Sequence, residues 1–251
     1  MQNPTPIIEL KNVTMKYRIY RERIDSAKEF LIKKLKGQVQ WEDFYALQDI
    51  SFSIEKGDVL GIVGLNGAGK STLLKLIAKV LKPSSGSVYV NGALAPLIEL
   101  GAGFDFDLSA RENIFLNASV LGYSKEYINA RLEEIIEFSE LESFMDMAIK
   151  NFSSGMVGRL GFAVATCVKP DILIVDEILS VGDHLFQEKC ERRMNELMSD
   201  GTTVIFVSHS SEQVKRICNK AIWLEKGKLI RKGTAEEVVD TMIMQSHSKK
   251  L

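Results

Sequence analysis

Apolar and polar residues alternate over residues 7–13, 50–54 and 88–90, the period of two that predicts half-buried strands. Three other runs, 59–63, 172–175 and 203–207, are almost wholly apolar, which predicts strands covered on both faces. Helical spacing takes over at 73–80, 154–168, 188–198 and 234–244. Ser109-x-x-Glu112 and Ser210-x-x-Gln213 have the form of capping boxes, each opening a helix. From Ser109 to Met147 the chain reads as helical, with Ile128, Leu132, Ile135 and Ile136 on one apolar face. Residues 222–230, turning at Gly227, predict a hairpin. The expected organisation is an α/β core from 1–96 and 154–251, with a helical subdomain at about 97–153. No repeat or low-complexity linker divides the chain.

One stretch stands apart. Residues 16–36 hold eight basic side chains (Lys16, Arg18, Arg21, Arg23, Lys28, Lys33, Lys34, Lys36) against three acidic ones (Glu22, Asp25, Glu29). Ile24, Ala27, Leu31, Ile32 and Leu35 recur within it at helical spacing. The expectation is a basic insertion over 16–45. It is either a solvated helix or a membrane-proximal one whose cations meet anionic headgroups.

Across 251 residues the formal net charge is only −1, so no global basic field points to a nucleic-acid partner. Three scattered cysteines, Cys167, Cys190 and Cys218, form neither a disulfide framework nor a zinc motif. The polar opening lacks a signal-peptide core, and no apolar run approaches the ~20 residues of a spanning helix. A cytoplasmic protein that does not itself cross a membrane is expected.

The chemistry is concentrated between the apolar run 59–63 and the helix at 73–80. Gly64-Leu65-Asn66-Gly67-Ala68-Gly69-Lys70-Ser71-Thr72 is a complete phosphate-binding loop in the strand–loop–helix setting it requires. Its glycines let successive N–H groups curl toward one point, where the following helix presents its positive end. Lys70 can reach the outer phosphates, and the Ser71 hydroxyl is placed for Mg2+. Downstream, the apolar strand at 172–175 ends in Asp176 and Glu177. Asp176 suits a magnesium contact, and Glu177 suits polarising an attacking water. The strand at 203–207 leads to His209, either a structural histidine or a hydrogen-bond partner of the terminal phosphate.

Residues 151–156, Asn-Phe-Ser-Ser-Gly-Met, stand at a helix start some twenty residues before Asp176. With this element the chain resembles the ATP-binding-cassette (ABC) ATPases over nearly all its length. The resemblance implies a P-loop NTPase cassette with a RecA-like core, an N-terminal antiparallel β-subdomain and an inserted helical subdomain. It implies that Ser153, Ser154 and Gly155 bind the γ-phosphate of an ATP held by the opposite subunit of a homodimer. The D-loop of the family would fall at Ser180, Val181, Gly182 and Asp183, and its switch histidine at His209. Tyr17 matches the aromatic that stacks on adenine, the alternative being a packing tyrosine at a strand end. Two departures stand out: Phe-Ser-Ser-Gly-Met replaces the usual Leu-Ser-Gly-Gly-Gln, and no glutamine occupies the Q-loop, where Glu99 is the nearest candidate for contact with Mg2+.

Residues 97–104 (LIELGAGF), 108–114 (LSARENI), 152–165 (FSSGMVGRLGFAVA) and 176–183 (DEILSVGD) are together similar to the ATPases of bacterial polysaccharide exporters. These serve O-antigen, capsule and teichoic acid export. The similarity implies an ATP- and Mg2+-dependent motor at the cytoplasmic face of the plasma membrane. The motor would be peripheral through two copies of an integral permease, with a lipid-linked glycan as cargo. Seventeen residues follow Thr234, so the C-terminal glycan-binding domain that several such exporters carry is not expected in this chain. Gly101 and Gly103 would let the 99–104 segment move as a lever, with Phe104 as its apolar contact for the permease. The alternatives are another ABC exporter (lipid, drug or peptide), a soluble cassette protein on ribosomes or DNA, and a module that binds nucleotide without hydrolysing it.

Overall fold

A computed structural model describes residues 6–20, 41–97, 101, 103–176, 182–208 and 210–248. Three strands, β1 (Ile8–Tyr20), β2 (Trp41–Ile54) and β4 (Ser85–Val90), form an antiparallel sheet in the order β2-β1-β4. The ladder between β1 and β2 continues outward to the pair Tyr20 and Trp41. At both ends of the expected insertion over 16–45 the chain is strand, since 16–20 and 41–45 pair with each other. Aromatic and β-branched residues explain this, because Tyr17, Ile19, Trp41, Phe44 and Tyr45 favour the pleated ladder. Arg18 lies over the Trp41 ring at 5.4 Å, and Lys16 Nζ is paired with Asp43 at 2.9 Å. The amphipathic pattern at 24–35 lies outside the described residues.

The second sheet has the order β5-β6-β7-β3-β8-β9. Its strands are β3 (Val59–Val63), β5 (Leu94–Leu97), β6 (Ile172–Asp176), β7 (Thr203–Val207), β8 (Lys220–Glu225) and β9 (Lys228–Thr234). All pairs are parallel except the β8–β9 hairpin. Strand β5 contains Pro96, which its edge position tolerates because no neighbour needs the missing N–H there.

Helix α1 (Lys70–Ile77) packs with the antiparallel sheet on one face of the parallel sheet. On the other face lie α2 (Ala110–Val120), α3 (Lys125–Asn129), α4 (Leu132–Ser139), α5 (Ser154–Cys167), α6 (His184–Ser199), α7 (Ser211–Ile217) and α8 (Ala235–Ser248). Alternation within the central strands sorts the two cores. In β3, Leu60 and Ile62 join the α1 side while Val59 and Val63 join the other. A strand buried on both faces needs this continuous apolar run, and it holds its polar C-terminal end rigidly.

The first capping box forms in full and the second only in its serine half, because the Gln213 side chain is engaged by Ser208. Ser109 and Glu112 exchange side-chain and backbone hydrogen bonds, and those from Ser109 hold the Glu112 carboxyl below its ordinary pKa. The Ser210 side chain accepts from Gln213 N. The expectation for Phe104 is overturned. Its ring is only 8% exposed and belongs to the helical-side core, because the turn from Gly101 to Phe104, closed by Phe104 N to Gly101 O at 3.0 Å, tucks it inward. The exposed aromatic of this region is Phe106, at 52%.

Candidate nucleotide site

The loop between β3 and α1 is shaped by three glycines with positive φ, Gly64, Gly67 and Gly69. At Gly64 (φ 149°) a Cβ would stand 2.2 Å from the carbonyl oxygen of Leu224, so only glycine lets the loop leave the sheet here. Gly69 (φ 104°) is the N-cap of α1 and offers no side-chain cap. Five of the other helices, α2, α3, α5, α6 and α7, each begin with a Ser or Asp side chain accepting a first-turn N–H. The first-turn donors of α1 thus face the loop without a capping side chain, an arrangement suited to an anion at a positive helix end.

Lys70 is buried, and its Nζ donates to the carbonyl oxygens of Gly64 at 2.7 Å and Leu65 at 3.2 Å. Burying an ammonium is costly unless it is hydrogen-bonded, and these contacts supply the partners within the loop itself. Ala68 is also buried, and its N–H donates to Leu65 O at 3.1 Å, closing the turn. Leu65, Asn66, Gly67 and Ser71 are exposed. A cavity of about 510 Å3 opens over the loop, lined by Asn66–Thr72 together with Phe44, Ala46 and Val207.

The sheet register aligns the polar strand ends with this loop. Asp176 is level with Val207, and Val207 is level with Ile62, one residue before the end of β3. The backbone of Asp176 therefore lies one strand removed from the strand that feeds the phosphate loop. A serine hydroxyl and carboxylates are the hard oxygen donors that Mg2+ prefers. Among the described residues no cluster of His, Cys, Asp and Glu forms a separate metal site.

At the start of α5, Ser153 is the N-cap and accepts from Met156 N at 3.2 Å. Ser153 and Ser154 are exposed and Gly155 is half-buried, so this helix end faces outward from the chain.

The family model described as "ABC transporter" matches residues 47–180, a span that holds the loop, the α5 start and Asp176 at the end of β6. The O-antigen export system ATP-binding protein RfbB of Klebsiella pneumoniae is 44% identical over 237 residues, 94% of this chain and 96% of that protein. The chain belongs to the ABC transporter family. It is an ATP-binding cassette and an ATPase. The teichoic acids export ATP-binding protein TagH of Bacillus anthracis is 43% identical over 233 residues, 93% of this chain but 42% of TagH. A dimeric structure of a bacterial ABC transporter cassette superposes with a TM-score of 0.69 at 26% identity, covering 91% of this chain and 98% of that one.

Within this cassette, Tyr17 stands directly across the β1–β2 ladder from Phe44, the two being 37% and 50% exposed. Phe44, not singled out by sequence, lines the cavity over the loop, and Tyr17 is absent from that lining. The cross-strand register is what sets these two residues opposite each other, and no spacing along the chain discloses it. Glu99, Glu177 and His209 lie outside the described residues. Next to His209, Ser208 is buried, donating to Gln213 Oε1 at 2.8 Å and accepting from Ser210 N at 3.0 Å. No described helix is long and apolar enough to cross a membrane.

Proposed function

We propose that this chain is the ATP-hydrolysing motor of an exporter that moves a lipid-linked polysaccharide of the O-antigen, capsule or teichoic acid class across the plasma membrane. The observation that carries the reading is collinear similarity to an O-antigen export ATPase over 94% of this chain and 96% of that protein. Similarity at the same level to a teichoic acid export ATPase supports a common class of cargo. The motor works as a head-to-tail homodimer bound to two copies of an integral permease, which holds it at the cytoplasmic face. Ser153, Ser154 and Gly155 present a helix end outward, where it can meet an ATP seated on the partner's phosphate loop.

Within each site, the backbone of Gly64–Thr72 and the Lys70 ammonium hold the phosphates, and adenine rests against the aromatic side chains of the cross-strand pair Tyr17 and Phe44. Ser71 and Asp176, with Glu99 as a further candidate, would hold Mg2+, which supplies positive charge against the phosphate oxygens. Glu177 orients and polarises the attacking water, and His209 donates to the terminal phosphate. Helical residues at about 97–153 form a subdomain set into the core.

Deletion of the gene tests the cargo. Undecaprenyl-linked glycan is expected to accumulate inside the cell and vanish from the surface, with both restored by the wild-type gene and not by a Lys70→Ala version. Normal surface glycan in a deletion strain lacking any paralogue overturns the assignment.

A further inference from the structure

One side chain joins the helix that opens on Ser153–Gly155 to the helix that follows the carboxylate strand. Arg159 lies on α5, and its side chain is only 18% exposed. Its Nη1 donates to Glu140 Oε2 at 2.9 Å and its Nη2 to Asp183 Oδ2 at 2.8 Å. The guanidinium carbon stands 4.6 Å from the centroid of the Phe186 ring, which is itself buried. Both anions sit at helix ends. Glu140 closes α4 with a left-handed φ of 58° and also receives Lys189 Nζ at 3.0 Å. Asp183 is the N-cap of α6, its Oδ1 taking the Phe186 N–H at 3.0 Å. That hydrogen bond, reinforced by Arg159, holds the Asp183 carboxyl below its ordinary pKa. The backbone passes tightly over this knot. At Gly182 (φ 74°) a Cβ would lie 3.1 Å from both Arg159 Nε and Phe186 Cβ.

We propose that Arg159 is a positioning residue that couples the phosphate-contacting start of α5 to the start of α6, and so couples the two ATP sites of the dimer. The inference rests on the head-to-tail arrangement proposed above. There the α5 start meets the ATP held by the partner, while Asp176 and Glu177 serve the ATP of their own chain. A helix moves as a rod, so a shift of its first turn on phosphate contact reaches Arg159 one and a half turns on. The two-pronged guanidinium passes that shift to Asp183, which fixes where the chain enters α6 after the carboxylates. A lysine ammonium is a point charge and cannot hold Glu140 and Asp183 in one planar fork.

Three variants of the full chain test this: Arg159→Lys, Arg159→Gln and Asp183→Asn, the last keeping an oxygen for the α6 cap while losing the charge. The expected result is a kcat lowered roughly 10- to 100-fold, as small misplacements of catalytic groups produce. The Hill coefficient for ATP should fall from above 1 toward 1. Affinity for a fluorescent ATP analogue and the melting temperature of Arg159→Lys should stay near wild type. Arg159→Gln combined with Asp183→Asn should be no worse than Arg159→Gln alone, because Asp183→Asn breaks a contact that Arg159→Gln has already lost. Wild-type kcat and cooperativity in Arg159→Lys overturn the proposal, as does a non-cooperative wild-type enzyme or a strictly additive double variant. Glu177→Gln separates this from failure of the parent reading. If it hydrolyses ATP normally, the assigned site itself is wrong. If it is inactive while the Arg159 variants are fully active, only the coupling falls.

Discussion

The Lys70 ammonium donates to the Gly64 carbonyl at 2.7 Å, bridging the two ends of the phosphate loop, and α1 begins at the same lysine. A positive side chain and a positive helix end therefore converge on one concavity. Lys70→Ala removes one of these and leaves the loop carbonyls of Gly64 and Leu65 without their donor. A charge-assisted hydrogen bond contributes about 1.5–3 kcal/mol, so ATP affinity should fall about 10- to 100-fold. Titration calorimetry measures this directly, and an unchanged dissociation constant would remove Lys70 from the site.

Glu177→Gln should separate binding from chemistry. The amide keeps the size of the carboxylate but loses the charge that polarises water, so turnover should fall by about two or more orders of magnitude while ATP still binds. ATP-loaded dimer should then accumulate and appear in size-exclusion chromatography as a species twice the monomer mass. A monomer at saturating ATP would contradict the head-to-tail arrangement.

The three thiols should be inert in the folded chain. Burial pushes Cys167 up to about 11 and Cys190 and Cys218 up to about 12. Thiolate is the reactive form, so at pH 8 its fraction is about one in a thousand or less, and reactivity rises only as pH approaches those values. An aromatic disulfide reagent at pH 8 should label no thiol quickly in the native protein and all three after denaturation. Rapid labelling of any one would show that its pocket opens.

How far sequence discloses this site depends on where each contact comes from. The phosphate loop is legible because Gly64, Gly69 and Lys70 are each required within nine residues by backbone shape or charge. The strand ends are legible because a strand covered on both faces must be apolar until it emerges. The outer β1–β2 ribbon is hidden, since the basic residues of 16–36 and their helical spacing overlie a strand whose aromatic residues are exposed. Strand β5 is hidden by its four-residue length and Pro96. Arg159 is hidden for a different reason. Its partners stand 19 and 24 residues away, and only the convergence of two helix ends on the side of α5 brings them together.

Phe104 and Phe106 are two residues apart, and sequence alone does not say which of them faces solvent. The structure separates them: Phe104 is packed against the helical-side core, and Phe106 projects outward. Removing a buried phenyl ring costs about 3–5 kcal/mol, because apolar contacts vanish and the cavity left behind only partly collapses. For a chain of this size that corresponds to a melting temperature lower by about 10 °C in Phe104→Ala. Phe106→Ala, which vacates no core, should change stability by no more than about 0.5 kcal/mol. Thermal unfolding followed by circular dichroism distinguishes the two variants. Equal melting temperatures would mean that the turn from Gly101 does not hold the Phe104 ring in the core, and the 99–104 segment would regain its exposed apolar contact.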